Sequence, residues 1–251
     1  MILWVYDWRL PRAARFNQGG IAYHVLNRAN GRQALFECDS DYEQFLNVLA
    51  QAHQRVAMRT IGYCLMPNHW HLVLWPREDG DLSQFMRWLT VTHTQRLHAA
   101  RGTAGGGHIY QGRFKSFPIQ QTPPPAHLRA MGVLEGGDAI LAVLRYVERN
   151  PVRAGLATSA RSWPWSSAHV RDRAASADDI PLIDPPGGLP DDWLQLVNRP
   201  QSQTELDAMR KSIQRGAPFG REPWVRQMAR QWGLESTLRP PGRPKTTTNG
   251  S

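Results

Sequence analysis

Two imidazoles stand one residue apart in Met66-Pro67-Asn68-His69-Trp70-His71-Leu72-Val73-Leu74-Trp75-Pro76, inside a run that otherwise reads as a buried β-strand. Successive strand side chains point to opposite faces, so His69 and His71 share one face while Trp70, Leu72 and Leu74 share the other. Two histidines at this spacing can grip one divalent cation. Two ligands do not fill its coordination sphere, so a third protein ligand or substrate oxygens must complete it. Further along, Ile140, Val143, Leu144 and Val147 mark the apolar stripe of a helix. At about 100° per residue, Tyr146 and Asn150 fall together on one flank of that stripe, a turn apart, with Ala139 and Ala142 beside them. A phenol can act as a nucleophile, and a carboxamide oxygen can be the missing ligand. His24, on an earlier strand, can face the same side as ligand or base, although a routine hydrogen bond is the simpler reading. Tyr110 is the rival nucleophile, but it has no amide partner one helical turn on and is expected to stack or pack.

The elements that must position these groups follow in order. β-formers from Ile21 to Asn27 predict a first strand, closed by a turn at Asn30-Gly31. Tyr42, Phe45, Leu46 and Leu49 fall at helical spacing behind a cap at Asp39 or Ser40, and the helix runs to Arg55. A strand from Met58 to Leu65 then forms a hairpin with the histidine strand across Met66-Pro67-Asn68. Asp81 or Ser83 caps the next helix, which runs to Ala100 and exits into a glycine-rich stretch. A basic strand is expected over Ile109 to Gln120. After a loop containing Pro123 to Pro125 and Gly136-Gly137, the tyrosine helix starts at Asp138 and ends at Asn150-Pro151, because the residue before proline is pushed out of the α region.

This order predicts an α+β fold with a ferredoxin-like split βαβ core. Its antiparallel sheet would carry helices on one face and leave the other free for a ligand. The tyrosine helix and a C-terminal helical extension are additions to that core. The expected organisation is a basic lead-in over 1–18, the core domain over 19–170 and a Pro/Gly-rich linker or wrapping arm over 171–200. A basic helical extension follows over 201–237, with short helices at 202–216 and 222–234, and then a disordered basic tail over 238–251.

Composition limits the partners. Thirty Lys and Arg against 21 Asp and Glu leave a formal charge of +9, which suits a polyanion whose phosphates guanidinium groups can fork. Cys38 and Cys64 are the only cysteines, too few for a disulfide framework or a cysteine-based zinc site. No apolar run approaches the length of about 20 residues that spans a bilayer. These features predict a cytoplasmic protein without a membrane partner.

Pro67-Asn68-His69-Trp70-His71, followed by Tyr146-Val147-Glu148-Arg149-Asn150-Pro151-Val152-Arg153-Ala154-Gly155, closely resembles the REP-associated tyrosine transposases, in the single-tyrosine branch of the HUH endonuclease superfamily. Trp163-Pro164-Trp165-Ser166-Ser167 and Gly112-Arg113-Phe114-Lys115-Ser116 add to the likeness, which covers roughly Gly20 to Ser167. The resemblance implies that Tyr146 attacks a DNA phosphate and leaves a 5′-phosphotyrosine link. It also implies that His69 and His71 hold Mg²⁺ or Mn²⁺ as cofactor, with Asn150 as third ligand where related enzymes use a glutamine. The substrate it implies is single-stranded DNA folded into hairpins of repetitive extragenic palindromes, with nucleoid association when DNA is bound. Arg12, Arg15, Arg28, Arg113, Lys115, Arg145, Arg149 and Arg153 are the expected DNA contacts. The same residues leave two rivals open: a domesticated binder that no longer cuts, and a hydrolytic metal nuclease that uses activated water. A monomer is expected, with a dimer compatible with the long connection from Gln120 to Asp138. Arg239-Pro240-Pro241-Gly242-Arg243-Pro244-Lys245 partly resembles a minor-groove hook.

Overall fold

The histidine run forms the strand β3, His69–Pro76, which lies inside a four-stranded antiparallel sheet. β1 (Ala22–Arg28) and β2 (Met58–Met66) flank it, and β4 (Lys115–Ile119) joins the free edge of β1, giving the order β2-β3-β1-β4 of a ferredoxin-like sheet. This computed structural model describes residues 17–121 and 138–239, apart from 175 and 178. The strict alternation in β3 separates two cores. Trp70, Leu72 and Leu74 enter one with Tyr23, Val25, Tyr63 and Leu65, while Val73 enters the other with Ala22, Phe117 and Ile119.

Helices α1 (Asp39–Arg55) and α2 (Asp81–Ala100) close the first core. Tyr42, Phe45, Val48, Leu49 and Ala52 recur at helical spacing along α1 and are buried, as are Leu82, Phe85, Met86 and Leu89 of α2. Asp41 in the first turn of α1 pairs with Arg101 beyond α2 at 2.9 Å, which ties the entry of one helix to the exit of the other.

The second face is where the expectation of an open ligand-binding surface fails. The tyrosine helix α3 (Ala139–Glu148) lies across it, continued by the single turn α4 (Asn150–Arg153). Ile140, Leu141, Val143, Leu144 and Val147 are all fully buried. A helix this apolar around its circumference needs cover on two sides. The sheet supplies one side, and α6 (Trp193–Asn198) supplies the other through Trp193, Leu196 and Val197. Helices α5 (Ser167–Asp172), α7 (Gln203–Arg215), α8 (Glu222–Gln231) and α9 (Glu235–Leu238) complete this layer. Met209 of α7 enters the second core. The Pro/Gly-rich segment is held against the sheet, where Ile183 N–H donates to the Thr60 carbonyl at 2.9 Å.

Two boundaries differ from the sequence expectation. The basic strand is confined to Lys115–Ile119, and Tyr110 makes only an isolated bridge to Ala29. Between them Gln111, Gly112 and Arg113 are exposed, and Gly112 offers no side chain to pack. The tyrosine helix breaks at Arg149 and restarts with Pro151 in its first turn, where the missing N–H costs nothing. The loop expected around Pro123 to Pro125 lies outside the described residues, as does the expected tail from residue 240 on, while Leu238, expected to open that tail, ends α9.

Candidate active site

The β1–β3 register sets Leu26 opposite His71 and Arg28 opposite His69, so His24 lies diagonally behind His71 on the same face. His24 Nε2 is 2.8 Å from His71 Nδ1, with the rings stacked at 5.0 Å and 17°. His69 Nδ1 is engaged by the Asn68 Oδ1 at 2.6 Å. With the Nδ1 of each ring occupied, His69 and His71 keep their Nε2 atoms for another partner, and their ring centroids are 5.0 Å apart. A neighbour that fixes the inner nitrogen is the usual support of a metal-ligating imidazole.

Burial keeps these rings neutral. It lowers the His69 pKa to about 4, helped by the nearby charges of Arg28 and Arg153. His71 is pushed well below its ordinary value by burial and then by its histidine neighbours, and His24 falls to about 3 by burial alone. Neutral imidazole is the form that binds a cation. Two such nitrogens suit Mn²⁺ better than Mg²⁺, which prefers oxygen. Among the described residues no group of three or more His, Cys, Asp and Glu side chains is arranged to hold a metal, so these imidazoles offer a half-site that other oxygens must complete.

Helix α3 delivers Tyr146 to this pair. Its ring lies edge-on to His71 at 6.0 Å and 87°, and to His24 at 6.5 Å and 89°. The Arg153 guanidinium carbon stands 4.1 Å from the centroid of the Tyr146 ring. Among the described residues no hydrogen bond engages the Tyr146 hydroxyl. Asn150 is buried one turn on, as its spacing predicts, but its Oδ1 accepts from Arg153 Nη2 and its Nδ2 donates to the Val147 carbonyl at 3.4 Å. The oxygen expected on a cation is therefore held by a guanidinium. Tyr110 lies on the opposite side of the sheet, where its hydroxyl accepts from Trp70 Nε1 at 3.1 Å and sits 2.7 Å from His93 Nδ1.

Glu148, two residues after Tyr146, is given no role by the sequence, although it lies within the quoted motif. It is fully buried and accepts from Ser167 Oγ at 2.6 Å, Trp193 Nε1 at 2.8 Å and Arg171 Nε at 3.3 Å. Burial raises its pKa, and the Arg171 charge is the main influence opposing the rise. This carboxylate anchors α3 to α5 and α6, and Ser167 carries the link to β2, where its Oγ lies 3.2 Å from the Tyr63 carbonyl. Gly62 of β2 permits the close approach, since a Cβ there would stand 2.3 Å from Leu144 Cδ1 and 2.9 Å from Ser167 Oγ. The available signal was an acid on an apolar helix, upstream of a Trp-Ser-Ser run.

The expected DNA contacts divide. Arg28 ends β1 exposed beside His69, and Arg113 and Lys115 are exposed on and before β4. Arg149 and Arg153 are half-buried, and Arg149 Nε reaches the Asn198 carbonyl at 3.4 Å. Arg145 is no surface contact. It is buried, donates to the carbonyls of Leu196, Arg199 and Pro200, and pairs with Glu205 at 3.3 Å. An arginine on α3 points into the layer that covers the helix and must satisfy its donors there. Arg12 and Arg15 lie outside the described residues.

Residues 17–129 match the family model described as IS200-like transposase, a span that includes both histidines and ends before Tyr146. A REP-associated tyrosine transposase of Escherichia coli (strain K12) is 23% identical over 152 residues, covering 61% of this chain and 78% of that one. Among solved structures, a REP-associated tyrosine transposase bound to a REP hairpin aligns with a TM-score of 0.47 and 20% identity, over 71% of this chain and 97% of that one. A putative transposase from Deinococcus radiodurans R1 aligns with a TM-score of 0.34 and 15% identity, over 52% of this chain and 98% of that one. The family model and the E. coli relative point to the same group of proteins as the motifs do. Among the described residues no helix is long and apolar enough to cross a membrane.

Proposed function

We propose that this chain, which matches the IS200-like transposases over residues 17–129, is a DNA endonuclease and strand transferase with Tyr146 as its nucleophile. The observation that carries the reading is the arrival of the α3 phenol beside the histidine face of β3, 6.0 Å from the His71 ring centroid. A tyrosine, two neutral imidazoles and unpaired basic side chains in one place suit attack on a phosphodiester.

In the proposed reaction the Tyr146 hydroxyl loses its proton and its oxygen bonds to phosphorus. The P–O3′ bond breaks, and the departing 3′ oxygen takes up a proton. The products are a 5′-phosphotyrosine link and a free 3′-hydroxyl. The link conserves the phosphodiester, so a second 3′-hydroxyl can attack it in reverse and join strands. His69 and His71 would hold Mg²⁺ or Mn²⁺, which, when bound, offsets the charge that builds on the non-bridging oxygens. His24 holds the His71 ring in place through its inner nitrogen. Arg28, at the exposed end of β1, adds positive charge beside His69. The substrate we infer is single-stranded DNA folded into a hairpin of the repetitive palindromic type, in keeping with the name of the similar E. coli protein. Such strands present bases and backbone together to a basic surface.

The experiment is incubation of the full chain with a REP hairpin oligonucleotide and Mn²⁺, followed by denaturing electrophoresis. A covalent protein–DNA adduct is expected, and Tyr146→Phe should abolish it while leaving hairpin binding intact. Cleavage that survives Tyr146→Phe would indicate water as the nucleophile, and tight binding without any adduct would indicate a non-cleaving binder. Either result overturns the reading.

A further inference from the structure

Arg153 is the least explained charge in the molecule. Its guanidinium is half-buried, stacked on the Tyr146 ring, and its Nη1 is buried without a hydrogen-bond partner. Among the described residues its one side-chain hydrogen bond is to Asn150 Oδ1, and no carboxylate pairs with it. Burial opposes its charge, Tyr146 and Cys64 favour it, and Arg210 and Arg149 repel it. Its neighbours across the site, Arg28 and His69, add no negative charge. Leaving a guanidinium edge desolvated and unpaired is costly. Planar N–H edges of this kind match the oxygens of a phosphate.

We propose that Arg153 forms the phosphate-binding fork of the tyrosine site, and that Asn150 is its positioning residue rather than a metal ligand. The carboxamide turns the guanidinium onto the Tyr146 ring and leaves the buried Nη1 without a partner among the described residues, a donor that a non-bridging oxygen of the attacked phosphodiester would meet once the strand is seated. Helical spacing makes this possible, because Arg149 keeps αR geometry between α3 and α4, so Asn150 and Arg153 follow Tyr146 one and two turns on along the same side. The cation site then has two protein ligands, His69 and His71, and depends on other oxygens for the rest. This inference rests on the reading of the site as a phosphodiester-cleaving centre.

Two binding measurements on the full chain test it, and the rate of adduct formation separates charge from fork. The first is Mn²⁺ affinity without DNA, followed by electron paramagnetic resonance. His69→Ala should lower it more than tenfold, whereas Asn150→Ala should leave it within about twofold, since Asn150 positions Arg153 and does not bind the ion. The second is hairpin affinity in EDTA across a salt series. Arg153→Gln should reduce the slope of log affinity against log salt by about one, the loss of one phosphate contact. Arg153→Lys should restore the slope but not the rate of adduct formation, because it keeps the charge and loses the fork. Thermal melting of each variant separates these effects from unfolding. A tenfold loss of Mn²⁺ affinity in Asn150→Ala would make Asn150 a ligand, and an unchanged salt slope in Arg153→Gln would remove the phosphate contact. Either outcome overturns the inference while leaving Tyr146 as nucleophile. An adduct that persists in Tyr146→Phe, by contrast, sinks the reading of the site and leaves the Mn²⁺ comparison standing.

Discussion

Tyr110 and Tyr146 stand beside histidines on opposite faces of the same sheet, and burial does not tell them apart, at 7% and 8% exposure. Their partners do. The Tyr110 hydroxyl is held between Trp70 Nε1 and His93 Nδ1, and burial raises its pKa further above the ordinary phenol value. No hydrogen bond among the described residues holds the Tyr146 hydroxyl, and its ring lies between the face of a guanidinium and the edges of two imidazoles. One tyrosine ties α2 to the sheet. The other keeps its reactive atom uncommitted beside positive charge. A candidate nucleophile is therefore better recognised by which of its hydrogen bonds remain unmade than by exposure.

Exchanging the two hydroxyls gives the largest contrast. Tyr146→Phe should cut adduct formation on the order of 10³-fold or more, as loss of a nucleophile does. The same variant should leave stability nearly unchanged, because no internal hydrogen bond is lost. Tyr110→Phe should keep the adduct but destabilise the fold by about 1–3 kcal/mol, since Trp70 Nε1 and His93 Nδ1 lose a buried partner. Gel assays and urea denaturation of both variants check this, and the comparison breaks if the two profiles coincide.

The next effect concerns what supports each tyrosine. Glu148 holds α3 against α5 and α6 through three partners, Ser167, Trp193 and the buried ion pair with Arg171. Removing the acid leaves Arg171 facing a buried void, so Glu148→Ala should cost about 3–5 kcal/mol, read from the denaturation midpoint. Adduct formation should fall with it, because α3 carries the phenol. Arg171→Leu removes the opposite partner and should behave similarly.

On the Tyr110 side the support titrates. Burial lowers the His93 pKa to about 4, against 6.5 when unfolded. Above pH 6.5 both states are neutral and the stability is complete. As pH falls from 6.5 toward 4 the unfolded chain takes up a proton that the folded chain refuses, and stability is lost by on the order of 3 kcal/mol. The histidines of the other face add losses in the same direction. His93→Gln should flatten, without abolishing, the decline in unfolding free energy measured between pH 7 and pH 4.

Most of the fold was legible because its signals are local. The alternation in β3, the stripes of α1 and α2 and the Met66-Pro67-Asn68 connection each announce an element within a few residues. Tyr146, His69, His71 and Asn150 were also legible, as two pairs whose spacing puts each on one side of its element. What was illegible depends on contacts distant in sequence. Nothing near Arg145 reveals that carbonyls more than 50 residues later will take its donors, nor does the run around Glu148 show that Ser167 and Trp193 close over it. The covered second face failed for the same reason, since Trp193, Leu196 and Val197 sit in a short helix beyond a stretch rich in Pro, Gly and Asp. The orientation of Asn150 toward Arg153 is a choice between two partners that spacing alone leaves equal.

The smallest effects belong to the exposed cations, and they refine the contrast between the faces. Arg28 and Lys115 lie on the histidine side of the sheet, opposite His69 and Leu26 in the strand register. Each is exposed, so truncation to alanine removes little packing and should move stability by no more than about 0.5 kcal/mol. If DNA lies along this side, each should still lower hairpin affinity and reduce the salt slope by about one. Arg145 sets the opposite standard. It sits on the tyrosine helix itself, yet its donors are spent on Leu196, Arg199, Pro200 and Glu205, so Arg145→Ala should destabilise the fold without a slope change of its own. Salt titrations of the three variants, each checked by melting temperature, separate cations that face a polyanion from one that holds the helix. An unchanged slope in both Arg28→Ala and Lys115→Ala would move the DNA path off this edge of the sheet and toward Arg153 and α7.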